Sequence, residues 1–142
     1  HHSPLLDALA ASAIARLHVA PGKFATQELA NTAWSFATLG LRNAPLFAAL
    51  ASSSLTKCKE SEPQALARTA WSFSTLNFRH HPLLTAIAAS SITRIPQFGP
   101  QDMANLVWAC AVLEYAAPEA PIMDSIAAAA LHNLRQSTSP PA

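Results

Sequence analysis

Apolar residues recur at helical spacing through two alternating kinds of segment. The first kind opens on proline: PLLDALAASAIARL from Pro4, PLFAALASSSLTKC from Pro45, PLLTAIAASSITRI from Pro82 and PIMDSIAAAALHNL from Pro121. Within it Leu5, Leu9, Ala13 and Leu17 follow one another at four-residue intervals, which places them along one side of a helix. The second kind aligns without gaps as QELANTAWSFATL from Gln27, QALARTAWSFSTL from Gln64 and QDMANLVWACAVL from Gln101. Its tryptophans, Trp34, Trp71 and Trp108, stand 37 residues apart both times. No stretch shows the strict alternation of a half-buried strand.

The punctuation agrees with helices. Proline suits a first helical turn, where its missing N–H costs nothing and its fixed φ fits; Pro63 and Pro100 mark the same point in the second kind of segment. Gly99 serves as an N-cap ahead of Pro100, and Gly40 is a helix stop after Leu39. The pattern predicts helices of the first kind, type A, over 4–17, 45–57, 82–95 and 121–134, and of the second, type B, over 26–39, 63–76 and 100–114.

On a wheel at about 100° per residue, Leu29, Ala30, Ala33, Trp34, Phe36, Ala37 and Leu39 cover well over half of the first B helix. A helix in a simple two-layer protein needs only one apolar stripe. So wide an arc implies burial against both a partner helix and the next repeat. The expected fold is all-α: an α-solenoid of helical hairpins with a repeat of about 37–38 residues, three and a half repeats and seven helices. It forms one domain over 1–135, with repeats near 4–40, 45–77 and 82–115, a half repeat at 121–135, and a flexible tail at 136–142. The tryptophans are expected to fill the repeat core.

Composition narrows this further. Of 142 residues 51% are hydrophobic and 12% charged, about half the charged share of an ordinary soluble domain. A chain this apolar is not disordered. The longest apolar run, Leu106 to Leu113, falls far short of the roughly 20 residues a membrane span needs. Alanine fills 31 positions and glycine 3, which favours helices in close contact. A net charge of +1 gives no sign of a strongly basic nucleic-acid binder. The chain does not open on Met and shows no signal or transit peptide; it reads as a processed product or an internal fragment. His1-His2 precedes Pro-Leu-Leu much as His80-His81 does, so the pair reads as part of the repeat and not as a tag.

No chemistry of catalysis is expected. Cys58 and Cys110 are the only cysteines and form no CxxC pair, against a disulfide scaffold or a zinc site. Cys110 falls in line with Phe36 and Phe73 and reads as a small buried hydrophobe. The six histidines form no HExxH arrangement, and Gly22, Gly40 and Gly99 are isolated. Neither a metal nor a cofactor is expected, and the serines at 52–54 and 90–91 read as small helix-facing residues.

The unit, and above all TQELANTAWSFATLG and PQDMANLVWACAVLEY, resembles the octatricopeptide repeat family, with heptatricopeptide-type repeats similar. The resemblance runs from about Pro4 to Leu134. It implies a helical-hairpin solenoid in a chloroplast or mitochondrion that binds single-stranded RNA to stabilise, process or help translate transcripts; no DNA is expected.

Aligned repeats put chosen positions in line. Arg16, Lys57, Arg94 and Asn133 lie twelve residues after each A-type proline, and Arg42 and Arg79 three before one. Such a row could follow a phosphate backbone; cations in a last helical turn also complement its dipole. Asp7, Ala48, Thr85 and Asp124, three residues past each proline, vary as base-reading positions would, and as drifting surface positions would. Asn31, Arg68 and Asn105 form a comparable row on the B helices. Two readings remain open: an RNA-binding module, or a protein-interaction solenoid serving as scaffold or accessory subunit of a larger organellar complex. The small faces of the A helices, Ala11, Ser52, Ala89 and Ala128 among them, suit the second.

Overall fold

The computed structural model describes residues 4–19 and 25–116, together with positions 124, 127, 128, 131, 132 and 135. Six α-helices follow one another: α1 (Pro4–Val19), α2 (Thr26–Thr38), α3 (Ala44–Thr56), α4 (Pro63–Thr75), α5 (His81–Ile92) and α6 (Pro100–Ala116). Short 3-10 turns at Cys58–Glu60 and Ile95–Gln97 lead from α3 to α4 and from α5 to α6. There is no strand among the described residues. The seventh expected helix falls mostly outside them, although the six separate positions are helical. The expected tail lies outside them entirely.

The helices make two layers of a repeat solenoid. The B-type helices α2, α4 and α6 lie side by side and form the most extensive contacts, α2 on α4 and α4 on α6. The A-type helices α1, α3 and α5 form the second layer, each touching the next, and they pack on the B helices through α2–α3, α4–α5 and α5–α6. The wide apolar arc has its explanation here. On α4, with B neighbours on both sides, eight of 13 residues are buried; on α2, with α4 alone beside it, four of 13 are. Alanines at these contacts (Ala33, Ala67, Ala70, Ala109) are at most 2% exposed and let the backbones approach closely.

Phe47 of α3, Phe73 of α4 and Phe78 join the layers. The Phe47 and Phe73 rings meet edge to face at 4.9 Å, and Phe47 stacks on Phe78 at 4.9 Å with 5° between planes, geometries that aromatic pairs favour. Polar side chains inside the core satisfy themselves locally. The Ser72 and Ser91 hydroxyls, both fully buried, donate to carbonyls four residues back, Arg68 O and Ile87 O, at 2.6 Å, as helix serines can.

The termini repeat as closely as the helices do. Asn43 Oδ1 accepts from Leu46 N at 3.0 Å, and His80 Nδ1 accepts from Leu83 N at 3.2 Å, so both residues cap the helix whose proline follows. Helix α2 ends with Gly40 at φ +68°, where Leu41 N donates to Phe36 O and Gly40 N to Ala37 O. Helix α4 ends in the same way on Asn77 at φ +61°, with Phe78 N to Phe73 O and Asn77 N to Ser74 O. These paired bonds make the left-handed stop that favours Gly and tolerates Asn. Helix α5 ends at Ile92, three residues before its expected limit, and the chain tightens into a 3-10 turn, as it does after α3 at Cys58–Glu60.

Candidate functional site

The row of cations is where the sequence placed a binding edge. Arg16 is exposed on α1, and Lys57, the C-cap of α3, is half-buried. Asn133 lies outside the described residues. Arg94, half-buried after α5, turns inward. Its Nη1 donates to Ser61 O at 2.6 Å and its Nε to Ser90 O at 3.2 Å, which ties the end of α5 to the loop before α4. Arg42 reaches the next repeat as well: its Nε donates to Leu76 O, just past α4, at 3.1 Å, and its guanidinium lies 4.0 Å above the Phe78 ring. Arg79, in the equivalent place one repeat later, donates from Nε to Asn77 Oδ1 at 3.1 Å. Two members of the cation row therefore fasten neighbouring repeats together. Their backbone acceptors lie 33 and 34 residues away, beyond what residue type in one segment could signal.

Arg94 also bears on Cys58. Burial pushes the Cys58 thiol above its ordinary value of 9.0, and the Arg94 charge pulls it partly back. The fold thus holds the thiol proton more tightly than the unfolded chain does. This contribution to stability is full below pH 9 and is lost as pH rises through the raised value. The urea midpoint is expected to fall above pH 9, and to fall less in Cys58→Ala; equal alkaline losses in the two proteins would contradict the assignment.

Asp7, Ala48, Thr85 and Asp124 are all exposed on A helices, as are the small positions Ala11, Ser52, Ala89 and Ala128. Between α1 and α3 lies an open depression of about 330 Å³ lined by Leu17, His18, Ala49, Ser52, Ser53 and Thr56. Leu5 and Leu9 of α1 are 67% and 53% exposed.

Trp34 and Trp71 meet in the seam between α2 and α4, with Trp71 packed against the core, while Trp108 lies more exposed. Trp34 and Trp71 are half-buried, with ring centroids 4.4 Å apart and planes 35° apart, and Trp108 is 45% exposed. The physical reason lies in helical phase. Phe73, which faces α3, follows Trp71 by two residues, about 200° of helical turn, so the tryptophan points away from the A layer.

The same outer side of each B helix carries a polar stripe. On α2 it reads Gln27, Asn31 and Trp34; on α4, Gln64, Arg68 and Trp71; on α6, Gln101 and Trp108, with Asn105 of the same register buried. Offsets of four and seven residues keep each set on one face. Neighbouring sets interact: Arg68 Nη1 donates to Asn31 Oδ1 at 2.9 Å, and its guanidinium stands 5.6 Å over the Trp34 ring. On α6 the Gln101 amide donates to Asn105 Oδ1 at 3.2 Å. A cavity of about 210 Å³ opens between the first turns of α2 and α4, with Gln27, Asn31, Gln64 and Arg68 in its wall. Among the described residues no three His, Cys, Asp or Glu side chains gather as metal ligands would, and no helix is long and apolar enough to cross a membrane.

Comparison with known proteins bears on this architecture. Residues 2–118 match the family described as RNA-editing substrate-binding complex 6 protein. The match covers most of the chain, and the chain belongs to that family. No curated protein matches it.

Proposed function

We propose that this chain is a non-catalytic, helical-repeat accessory subunit of an organellar RNA-editing complex, held there mainly by protein contacts. The observation that carries this reading is the engagement of Arg42 and Arg94 in bonds between repeats. With Arg94 half-buried, Arg42 exposed but bonded to the next repeat, and a net charge of only +1, less charge is left to neutralise phosphates, and phosphate contacts supply most non-specific RNA affinity. Meanwhile Ala11, Ser52 and Ala89 leave the A layer open and small-faced, with two exposed leucines on α1. Membership of the RNA-editing substrate-binding complex 6 family supports the same setting. The resemblance to octatricopeptide repeats supports a second reading, in which Arg16, Lys57 and Arg79 help hold single-stranded RNA, with Asp7, Thr85 and Asp124 beside its bases. Arg16, exposed on α1, favours it.

The test is co-purification from the native organelle. Arg at Ser52 and at Ala89, both exposed, is expected to leave the fold intact and to reduce recovery of partner proteins about tenfold or more, the cost of forcing an unpaired charge into an interface. Unchanged partner recovery, together with RNA binding that weakens steeply with salt, would replace the subunit reading with the RNA-module reading.

A further inference from the structure

We infer that the end of the solenoid formed by α1 and α2 is a docking edge, built to take the last helical hairpin of a partner repeat protein. This rests on the subunit role above and deepens it, because it puts the partner at one end of the stack and states which kind of partner fits.

Equivalent positions differ sharply between this end and the inner repeats. Leu5, Leu46 and Leu83 each follow the first proline of an A helix, and Leu9, Leu50 and Ile87 stand four residues on. The members on α3 and α5 are fully buried, whereas Leu5 and Leu9 are largely exposed. The B layer repeats the contrast. Leu76, just past α4, is 8% exposed, and Leu39, just past α2, 61%. Ser72 and Phe73 are fully buried, while Ser35 is exposed and Phe36 half-buried. All three A helices have a B helix after them. Among the described residues only α3 and α5 also have a repeat before them, and they pack on it, α3 on α1 and α2, α5 on α3 and α4. Likewise α4 lies between α2 and α6, while α2 has α4 alone. The cover that Leu5, Leu9, Ser35, Phe36 and Leu39 lack is therefore one preceding repeat. A solenoid cap ends on a polar face; exposed leucines gathered at one end mark an interaction site instead.

The cover used inside the chain defines the partner. Ser74 of α4 is buried and its hydroxyl donates to Ala109 O of α6 at 3.5 Å. Seven residues before it, on the same side of the helix, Ala67 is buried as well. The equivalent residues on α2, Ala30 and Ala37, are buried too. Each B helix thus meets the next through small residues seven apart, which lets the backbones approach closely. The partner's last helix carries alanine or serine at that spacing. A second copy of this chain does not fit, although Ala104 and Ala111 of α6 are exposed. Repeat order reserves the place after α6 for the A-type segment that opens at Pro121, and α1 of a second copy would need that same place.

The first experiment uses the chain's own hairpin as the probe. Residues 42–78 are fused ahead of His1, which puts a duplicate of α3 and α4 before α1 with the native spacing from Phe78 to the next helix proline. Leu9→Ala is expected to lower the urea midpoint at least about threefold further in the extended chain than in the parent, as burial of an exposed leucine requires. Equal shifts would overturn the docking edge. The second experiment puts p-benzoylphenylalanine in place of Leu9 and maps the photo-cross-link formed in the native organelle. A cross-link to the last helix of a helical-repeat protein is expected, and the fused hairpin, held at high effective concentration, should reduce it about tenfold or more. A cross-link to a second copy, to a protein without helical repeats, or to nothing would overturn the proposal. Partner recovery that survives Leu5→Asp with Leu9→Asp but not Ser52→Arg with Ala89→Arg would remove the docking edge and leave the subunit role standing; recovery unchanged by both pairs would remove both.

Discussion

Phe73→Ala is expected to cost about 3–5 kcal/mol of folding free energy. Phe73 is 1% exposed, sits on the most buried helix and touches aromatic rings from two other segments, Phe47 at 4.9 Å and Phe78 at 6.4 Å. Removing its ring leaves a void bounded by helices fixed on both sides by neighbouring repeats, so collapse cannot fill it. Stability of a domain this size lies around 5–15 kcal/mol, and the loss therefore takes a large share of it. Phe36 occupies the same place one repeat earlier but is half-buried, so Phe36→Ala should cost clearly less. Urea unfolding followed by circular dichroism measures both. A Phe73→Ala loss below that of Phe36→Ala would show that the α3–α4 aromatic contact is not the centre of the fold.

The contrast between these two phenylalanines also marks how far the sequence could be read. Helix positions and the packing of B helices on both a partner and the next repeat follow from prolines at first turns and from a three-fold repeated apolar arc, all of which are local or periodic signals. The stop at Asn77 was available too, since it stands 37 residues after Gly40 and asparagine tolerates positive φ. The tryptophans were harder. They share the apolar arc by composition, and only their phase relative to Phe36 and Phe73 separates the seam between B helices from the side facing the A layer. Once one phenylalanine is known to face α3, the phase is fixed, but the sequence does not say which residue that is. The cations were not legible at all. Arg42, Arg79 and Arg94 look alike as repeated positive positions, and what distinguishes them is a carbonyl brought within reach by packing. Family membership sharpened the functional setting in the same way, adding a complex where residue chemistry alone left two classes of partner.

Arg94→Met is expected to destabilise the fold by about 1–3 kcal/mol, the range for losing hydrogen bonds from a charged donor to buried acceptors. Ser61 O, immediately after the 3-10 turn at Cys58–Glu60, loses the Arg94 bond, while Ser90 O, in the last turn of α5, keeps the bond it accepts from Thr93 Oγ1. Part of the loss is offset, because Arg94 Nη2 is buried without a hydrogen-bond partner and methionine removes that cost while keeping much of the side-chain volume. Lysine should not rescue the variant, since a single ammonium cannot reproduce the guanidinium fork that spans both carbonyls. Arg16→Met, at an exposed position on α1, should stay within about 0.5 kcal/mol of the parent. The Cys58 thiol supplies an independent readout: without the Arg94 charge that pulls its pKa down, it should titrate higher and alkylate more slowly at a given alkaline pH. Equal stabilities of the Arg16 and Arg94 variants, with Cys58 reactivity unmoved, would mean that Arg94 does not fasten the repeats. The cation row would then be free to act as one surface, and the case for a protein-held subunit would lose the observation that carries it.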